Sequence, residues 1–164
     1  MIEKILLTVG TQLPFDRLVT ALDGWAARHQ KVEITAQIGD GQAPRGMNWK
    51  RFIPASNFQA EFESAEVIVA HSGMGTILTC LDLGKPLIIM PRLASLGEHR
   101  NDHQLATARK FEHFSQVYVV NDSTEMEIAL DEIGRGYQED SFVGGASPEL
   151  LSEIRHFAIG EHRT

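Results

Sequence analysis

The sequence predicts an α/β fold: a Rossmann-like parallel sheet of about six strands with helices on both faces. Two observations carry that expectation. Short apolar runs alternate with segments whose apolar residues recur at helical spacing. The junctions between them pass from a strand through a Gly- or Ser-containing turn into a helix, as in the βα units of a doubly wound sheet.

Taken in order, residues 4–9 form a first buried strand, and Gly10-Thr11-Gln12 is the turn after it. Pro14, favoured in a first helical turn, opens a helix with Leu18, Val19, Leu22, Trp25 and Ala26 on one face. Residues 32–38 alternate as a strand does, residues 39–48 are a loop rich in Gly and Pro, and residues 49–53 make a short strand. Ser56 or Asn57 caps a helix through Ser64. The run Val67-Ile68-Val69-Ala70 is the next strand. It meets the small-residue turn His71-Ser72-Gly73-Met74-Gly75-Thr76, which opens onto the helical pattern Ile77-Leu78-Thr79-Cys80-Leu81. Residues 86–91 are another buried strand, residues 92–104 a polar loop, residues 101–111 a helix and residues 116–120 a strand. Ser123 caps a helix to Ile133, residues 134–145 are loop-like, and Ser147-Pro148-Glu149 launches a last helix over about residues 148–159. No internal repeat or linker interrupts the 164 residues, so the chain reads as one domain, 1–164.

Composition narrows the function classes. Hydrophobic residues at 43% and charged residues at 23% are ordinary for a globular protein. A formal net charge of -7 argues against nucleic acid as a partner, which asks for a concentrated basic surface. The single cysteine, Cys80, excludes an internal disulfide framework and fits a reducing compartment. No apolar run reaches the roughly 18–20 residues that span a bilayer, and the N-terminus lacks the apolar core of a signal peptide. The expectation is a cytoplasmic chain, peripheral at the inner face of the cell membrane only through a partner.

In doubly wound sheets a ligand sits beyond the carboxyl ends of the strands, and three loops at such ends carry suitable chemistry. Gly10-Thr11-Gln12 supplies a flexible turn, a hydroxyl and an amide, and equally suits a plain strand-to-helix turn. Ser72-Gly73-Met74-Gly75-Thr76 places two glycines and two hydroxyl residues at a helix start. Unpaired amides and the positive end of the helix dipole favour an anion there, and glycine lets a phosphate approach the main chain. Ser72 is open to a second role as N-cap, and His71 to either packing or ligand contact. The third loop offers Arg92, Glu98, Arg100, Asp102, His103 and Gln104, the mixed donors and acceptors that sugar hydroxyls require. Arg92 and Arg100 also suit a carboxylate on a ligand. His99 and His103 stand four apart, but there is no His-Glu-x-x-His order and no third ligand, so no metal is expected. Cys80 falls on an apolar helix face and reads as packing.

At these residues the chain resembles the C-terminal, nucleotide-sugar-binding half of family twenty-eight GT-B glycosyltransferases. It is more similar still to the free-standing small subunits of two-part enzymes, those of the eukaryotic dolichol-linked N-acetylglucosamine transferase and of bacterial exopolysaccharide synthesis. The matching pieces are residues 7–18, residues 70–77, residues 84–92, Gly97-Glu98-His99 and Asp102-His103-Gln104-Leu105, in the family's order. The resemblance implies half of a GT-B fold. It implies that Gly10, Thr11 and residues 72–76 hold a UDP diphosphate, with Glu98, His103 and Gln104 reaching ribose and donor sugar. Two positions depart from the family. Thr79 stands where many relatives carry a ribose-binding glutamate, a role Glu98 would take over, and His71 stands where some carry arginine.

The function so implied is that of a donor-binding subunit of a two-component hexosyltransferase. It would take a UDP-sugar as substrate, need no resident cofactor, and extend a lipid-linked exopolysaccharide or capsule intermediate. Its partner would be a membrane-associated acceptor-binding subunit supplying the general base. A non-catalytic subunit that enhances a partner transferase is the alternative. A small Rossmann-type oxidoreductase is disfavoured, because Gly10-Thr11-Gln12-Leu13-Pro14 is not Gly-x-Gly-x-x-Gly.

Overall fold

The computed structural model describes residues 1–136. Six strands, β1 (Lys4–Thr8), β2 (Glu33–Gln37), β3 (Asn48–Lys50), β4 (Val67–His71), β5 (Leu87–Met90) and β6 (Val117–Val119), form one sheet in the order β3-β2-β1-β4-β5-β6. Every pairing is parallel. The helices α1 (Asp16–Ala26), α2 (Ala55–Ser64), α3 (Met74–Leu83), α4 (His103–Phe111) and α5 (Ser123–Gly136) provide the crossovers, and a single 3-10 turn spans Ala94–Leu96. The Rossmann-like α/β expectation is met.

Two apolar layers flank the sheet because neighbouring strand residues point to opposite faces. Leu7, Val69 and Ile88 pack with α1 and α5 through Leu18, Leu22, Trp25, Met126 and Leu130. Leu6, Ile68 and Ile89 pack with α2, α3 and α4 through Phe62, Ile77, Cys80 and Phe111. Both faces of the central strands are covered, which is why they read as continuous apolar runs rather than alternating ones.

Several element boundaries differ from expectation. Helix α1 begins at Asp16, with Phe15 as N-cap and the first helical bond from Val19 N–H to the Phe15 carbonyl; Pro14 lies outside it. Pro54 is the N-cap of α2, and Ser56 and Asn57 sit in its first turn, bonded to each other. Strand β3 spans Asn48–Lys50; beyond it the Arg51 carbonyl still accepts the Gly39 N–H, while the Ile53 N–H goes to the side-chain oxygen of Gln37. Asp122, not Ser123, caps α5: its carboxylate accepts the Glu125 N–H while Glu125 accepts the Asn121 N–H. That helix continues past Ile133 to Gly136. Helix α4 starts at His103, two residues late, with Asn101 Oδ1 accepting the His103 N–H. The loop beyond residue 136 and the last helix expected at about 148–159 lie outside the described residues.

Strand order reverses between β1 and β4, both of which lie next to each other while their crossovers lead to opposite sides of the sheet. The carboxyl ends of these two strands part there and leave a crevice.

Candidate functional site

A cavity of about 370 Å³ opens at that crevice. The β1–α1 segment contributes Val9, Gly10, Thr11, Gln12 and Leu13; the end of β4 and start of α3 contribute His71, Gly73, Gly75 and Thr76; the far side is Arg92, His99 and Gln104. Three loops far apart in sequence therefore meet at one place. No carboxylate lines the cavity among the described residues, whereas a guanidinium, two imidazoles and a helix N-terminus do. The balance favours an anion.

The start of α3 is built for that role by what it lacks. Its N-cap is Gly73, which has no side chain to satisfy the first amides, and the first helical bond runs from Ile77 N–H to the Gly73 carbonyl. The amides of Met74, Gly75 and Thr76 consequently have no acceptor within the helix. A Cβ placed on Gly75 would meet nothing within 4 Å, so bare main chain faces open space beside the Thr76 hydroxyl. Ser72 is one residue too early to cap. It is buried at 3% exposure, and its Oγ has no hydrogen-bond partner among the described residues.

Gly10 and Gly73 serve a different neighbour. A Cβ on Gly10 would stand 2.8 Å from His71 Cε1, and one on Gly73 2.5 Å from His71 Nε2. The imidazole is sandwiched between two bare backbones, and Gly10 also needs its positive φ of 79° to turn the chain out of β1. Burial, then the nearby Arg92 charge, push the His71 pKa down to about 4, with the Thr8 backbone opposing. The ring is neutral at physiological pH.

Arg92 lies at the cavity wall yet is only 3% exposed. Its guanidinium donates to the main-chain carbonyls of Val9, Leu13 and Pro14 and sits over the Phe15 ring. Burial lowers its pKa, opposed by the Glu98 carboxylate. Gln104 Oε1 accepts the Arg92 N–H at 3.1 Å, which fixes the amide and leaves its NH₂ as the remaining donor. His99 Nδ1 lies 3.1 Å from Asn101 Oδ1. The same Nδ1 lies 3.4 Å from the Asn101 backbone N–H, so this nitrogen is tied to Asn101 and Nε2 is the ring atom left for other contacts.

The candidates from sequence divide accordingly. Gly10, Thr11, Gln12, His71, Gly73, Gly75, Thr76, Arg92 and Gln104 come together around the cavity, while Ser72, Met74, Glu98, Asp102 and His103 do not line it. Met74 packs against the α2–α4 layer. Glu98 holds Arg17 through both carboxylate oxygens at 2.8 Å and accepts the Leu93 N–H. Burial pushes its pKa up, but these hydrogen bonds and the charges of Arg17 and Arg92 outweigh it and keep the carboxyl below its ordinary value. Asp102 accepts the Ala94 N–H, and the backbone carbonyl of His103 accepts the Thr107 hydroxyl. Thr79, at the family's glutamate position, donates its hydroxyl to the Gly75 carbonyl. Arg100 is not among the lining residues either. Val9, Leu13 and His99 line the cavity as well. His99 carries a sequence signal, a histidine inside a polar loop at a strand end and within the Gly97-Glu98-His99 piece of the resemblance; Val9 and Leu13 read as apolar packing positions. No group of three or more His, Cys, Asp or Glu side chains able to hold a metal ion occurs among the described residues. Burial raises the Cys80 thiol to about 12, an inert packing group as expected.

Fold and site together define a Rossmann-like α/β unit whose crevice suits an anionic ligand. Over residues 4–135 the chain matches the model of the glycosyltransferase family 28 C-terminal domain, and it belongs to that family. Over 60 residues it is 35% identical to the UDP-N-acetylglucosamine transferase subunit ALG13 of Candida albicans, covering 37% of this chain and 19% of that protein. Among solved structures it resembles the glycotransferase of kitacinnamycin, with a TM-score of 0.63, 20% identity and coverage of 94% of this chain and 38% of that one. It also resembles Acinetobacter baumannii MurG, with a TM-score of 0.56, 19% identity and coverage of 92% and 44%. These likenesses establish the fold, that of GT-B glycosyltransferases. The chain spans less than half the length of each of these proteins.

Proposed function

We propose that this chain is the donor-binding component of a glycosyltransferase that uses a UDP-sugar and acts with an acceptor-binding partner. The observation that carries the proposal is the uncapped start of α3, where Gly75 presents bare main chain to the cavity beside the Thr76 hydroxyl. The diphosphate would accept hydrogen bonds from the Gly75 and Thr76 amides and from the Thr76 hydroxyl. Thr11 and Gln12 would close over it, and Gln104 and His99 would meet the donor sugar. Charge developing on the UDP leaving group during transfer would be stabilised by these fixed dipoles. His71, neutral at physiological pH, adds no charge to the crevice, and its buried Nδ1 has no hydrogen-bond partner among the described residues.

The cavity lining has no carboxylate among the described residues, and His71, with a pKa near 4, is a weak base at neutral pH. In this reading the base that deprotonates the acceptor hydroxyl belongs to the partner, with His99 assigned to the donor sugar. Similarity to a subunit of a UDP-N-acetylglucosamine transferase supports both the donor class and the need for a second chain. The acceptor would be a lipid-linked exopolysaccharide or capsule intermediate. The chain would work on the cytoplasmic side of the membrane, held there by its partner; no helix among the described residues is long and apolar enough to cross a membrane.

The test is calorimetric titration of the purified chain with UDP, followed by transfer assays with a panel of UDP-sugars, alone and with the partner. Binding of UDP with transfer only in the two-chain mixture supports the proposal. Efficient transfer by the lone chain refutes the partner requirement. Absence of UDP binding at saturating concentration refutes the donor role and favours a non-catalytic enhancer.

A further inference from the structure

We infer that Arg92, with the Arg17–Glu98 pair as its counterpart, is a positioning residue that holds the β1–α1 wall of the cavity, not a contact to the donor sugar. The inference rests on reading the cavity as the donor site. Two arginines cross at Phe15. From just beyond β5, Arg92 donates to the carbonyls of Val9 at 2.8 Å, Leu13 at 2.7 Å and Pro14 at 2.6 Å. From α1, Arg17 reaches the opposite way, to the carbonyls of Pro91 at 2.7 Å and Asn121 at 2.6 Å and to both oxygens of Glu98. Both lie over the Phe15 ring, whose centroid is 4.6 Å from the Arg92 guanidinium carbon and 5.3 Å from that of Arg17, and the ring is 1% exposed.

The arrangement has a specific object. Residues 9–15 belong to no strand or helix; the ladder's last bond is Val9 N–H to the Gln37 carbonyl, and beyond Gly10, which Thr8 and Gln37 side chains hold, no ladder fixes the segment. Their carbonyls converge instead on one planar guanidinium, which addresses three acceptors at once in a way an ammonium cannot. Thr11 and Gln12, between the fastened carbonyls, are exposed and form one wall of the cavity. Glu98 acts on the same segment through Arg17, which also lies against Phe15. Removing either half frees the wall, and a ligand then has to order it on binding.

The experiment uses the whole chain with UDP as probe. Arg92→Lys keeps the charge and loses the planar spread; Glu98→Gln keeps the shape and loses the ion pair, and it preserves the test should the first variant fold poorly. In each, amides of residues 10–13 exchange with solvent faster than in the wild type while those of β4 and β5 do not. The UDP dissociation constant, measured well below the melting temperature, rises by about tenfold, equivalent to ordering roughly one residue's backbone. Saturating UDP returns the exchange to slow. A purely structural role lowers the melting temperature and leaves the affinity of the folded chain unchanged. Unaltered exchange over residues 10–13, or a loosened wall with wild-type affinity, overturns the inference. Failure of the wild type itself to bind UDP removes the donor-site reading and with it the positioning role, while the exchange measurement separately shows whether the clasp holds the wall.

Discussion

At the residue scale, His71 determines what each glycine does. Gly73 is needed because the imidazole lies 2.5 Å from where its Cβ would be, whereas Gly75 faces open space. Gly73→Ala should therefore overpack and cost about 1–3 kcal/mol, seen as a lower urea midpoint. Gly75→Val should keep the melting temperature of the wild type yet lose UDP binding in calorimetry, because its side chain fills the space a phosphate would enter. His71 also sets a pH dependence. Its pKa falls from an ordinary 6.5 to about 4 on folding, so between those values the unfolded chain binds the extra proton. Its contribution to stability is complete above pH 6.5 and is lost as pH falls toward 4, in total about 3 kcal/mol. Urea unfolding between pH 7 and 4, with NMR titration of the ring, checks this. A His71 that titrates near 6.5 contradicts the buried placement.

At the element scale, the Gly84-Lys85-Pro86 stretch shows how one short motif ends one helix and ties down another. Gly84 ends α3 in the left-handed conformation at φ 65°, while Lys85 N–H returns to the Cys80 carbonyl. The Lys85 ammonium donates to the carbonyls of Glu63 and Ala65 at the end of α2. Gly84→Ala meets no neighbour within 4 Å, so its cost is backbone strain alone, about 1–2 kcal/mol in thermal or urea unfolding. The elements themselves were legible in sequence, since apolar periodicity reports which residues leave water. Their ends were less so. Whether Asp122 or Ser123 caps α5 depends on where Glu125 reaches, and Pro14 stays outside α1 because its carbonyl is held by Arg92. The site was legible where neighbours in sequence build it, as at His71 to Thr76. It was not where Arg17 meets Glu98, 81 residues away, or where Arg92 turns to carbonyls 78 to 83 residues distant. A polar loop read as a set of ligand contacts is in large part a fastening.

At the scale of the whole molecule, the β3-β2-β1-β4-β5-β6 order puts its reversal between β1 and β4, and the pocket, the glycine turn and the arginine clasp all gather at that one crevice. The chain matches its family over residues 4–135 and spans less than half of each compared protein; the proposed role assigns it the donor site. UDP should raise the melting temperature of the isolated chain in a concentration-dependent way, and the partner should be needed for turnover. The most direct measurement is a crystal structure with UDP at saturating concentration. The account predicts diphosphate oxygens about 3 Å from the Gly75 and Thr76 amides, beneath the wall formed by Thr11 and Gln12. UDP bound away from the start of α3, or a crevice left empty at that concentration, would contradict it.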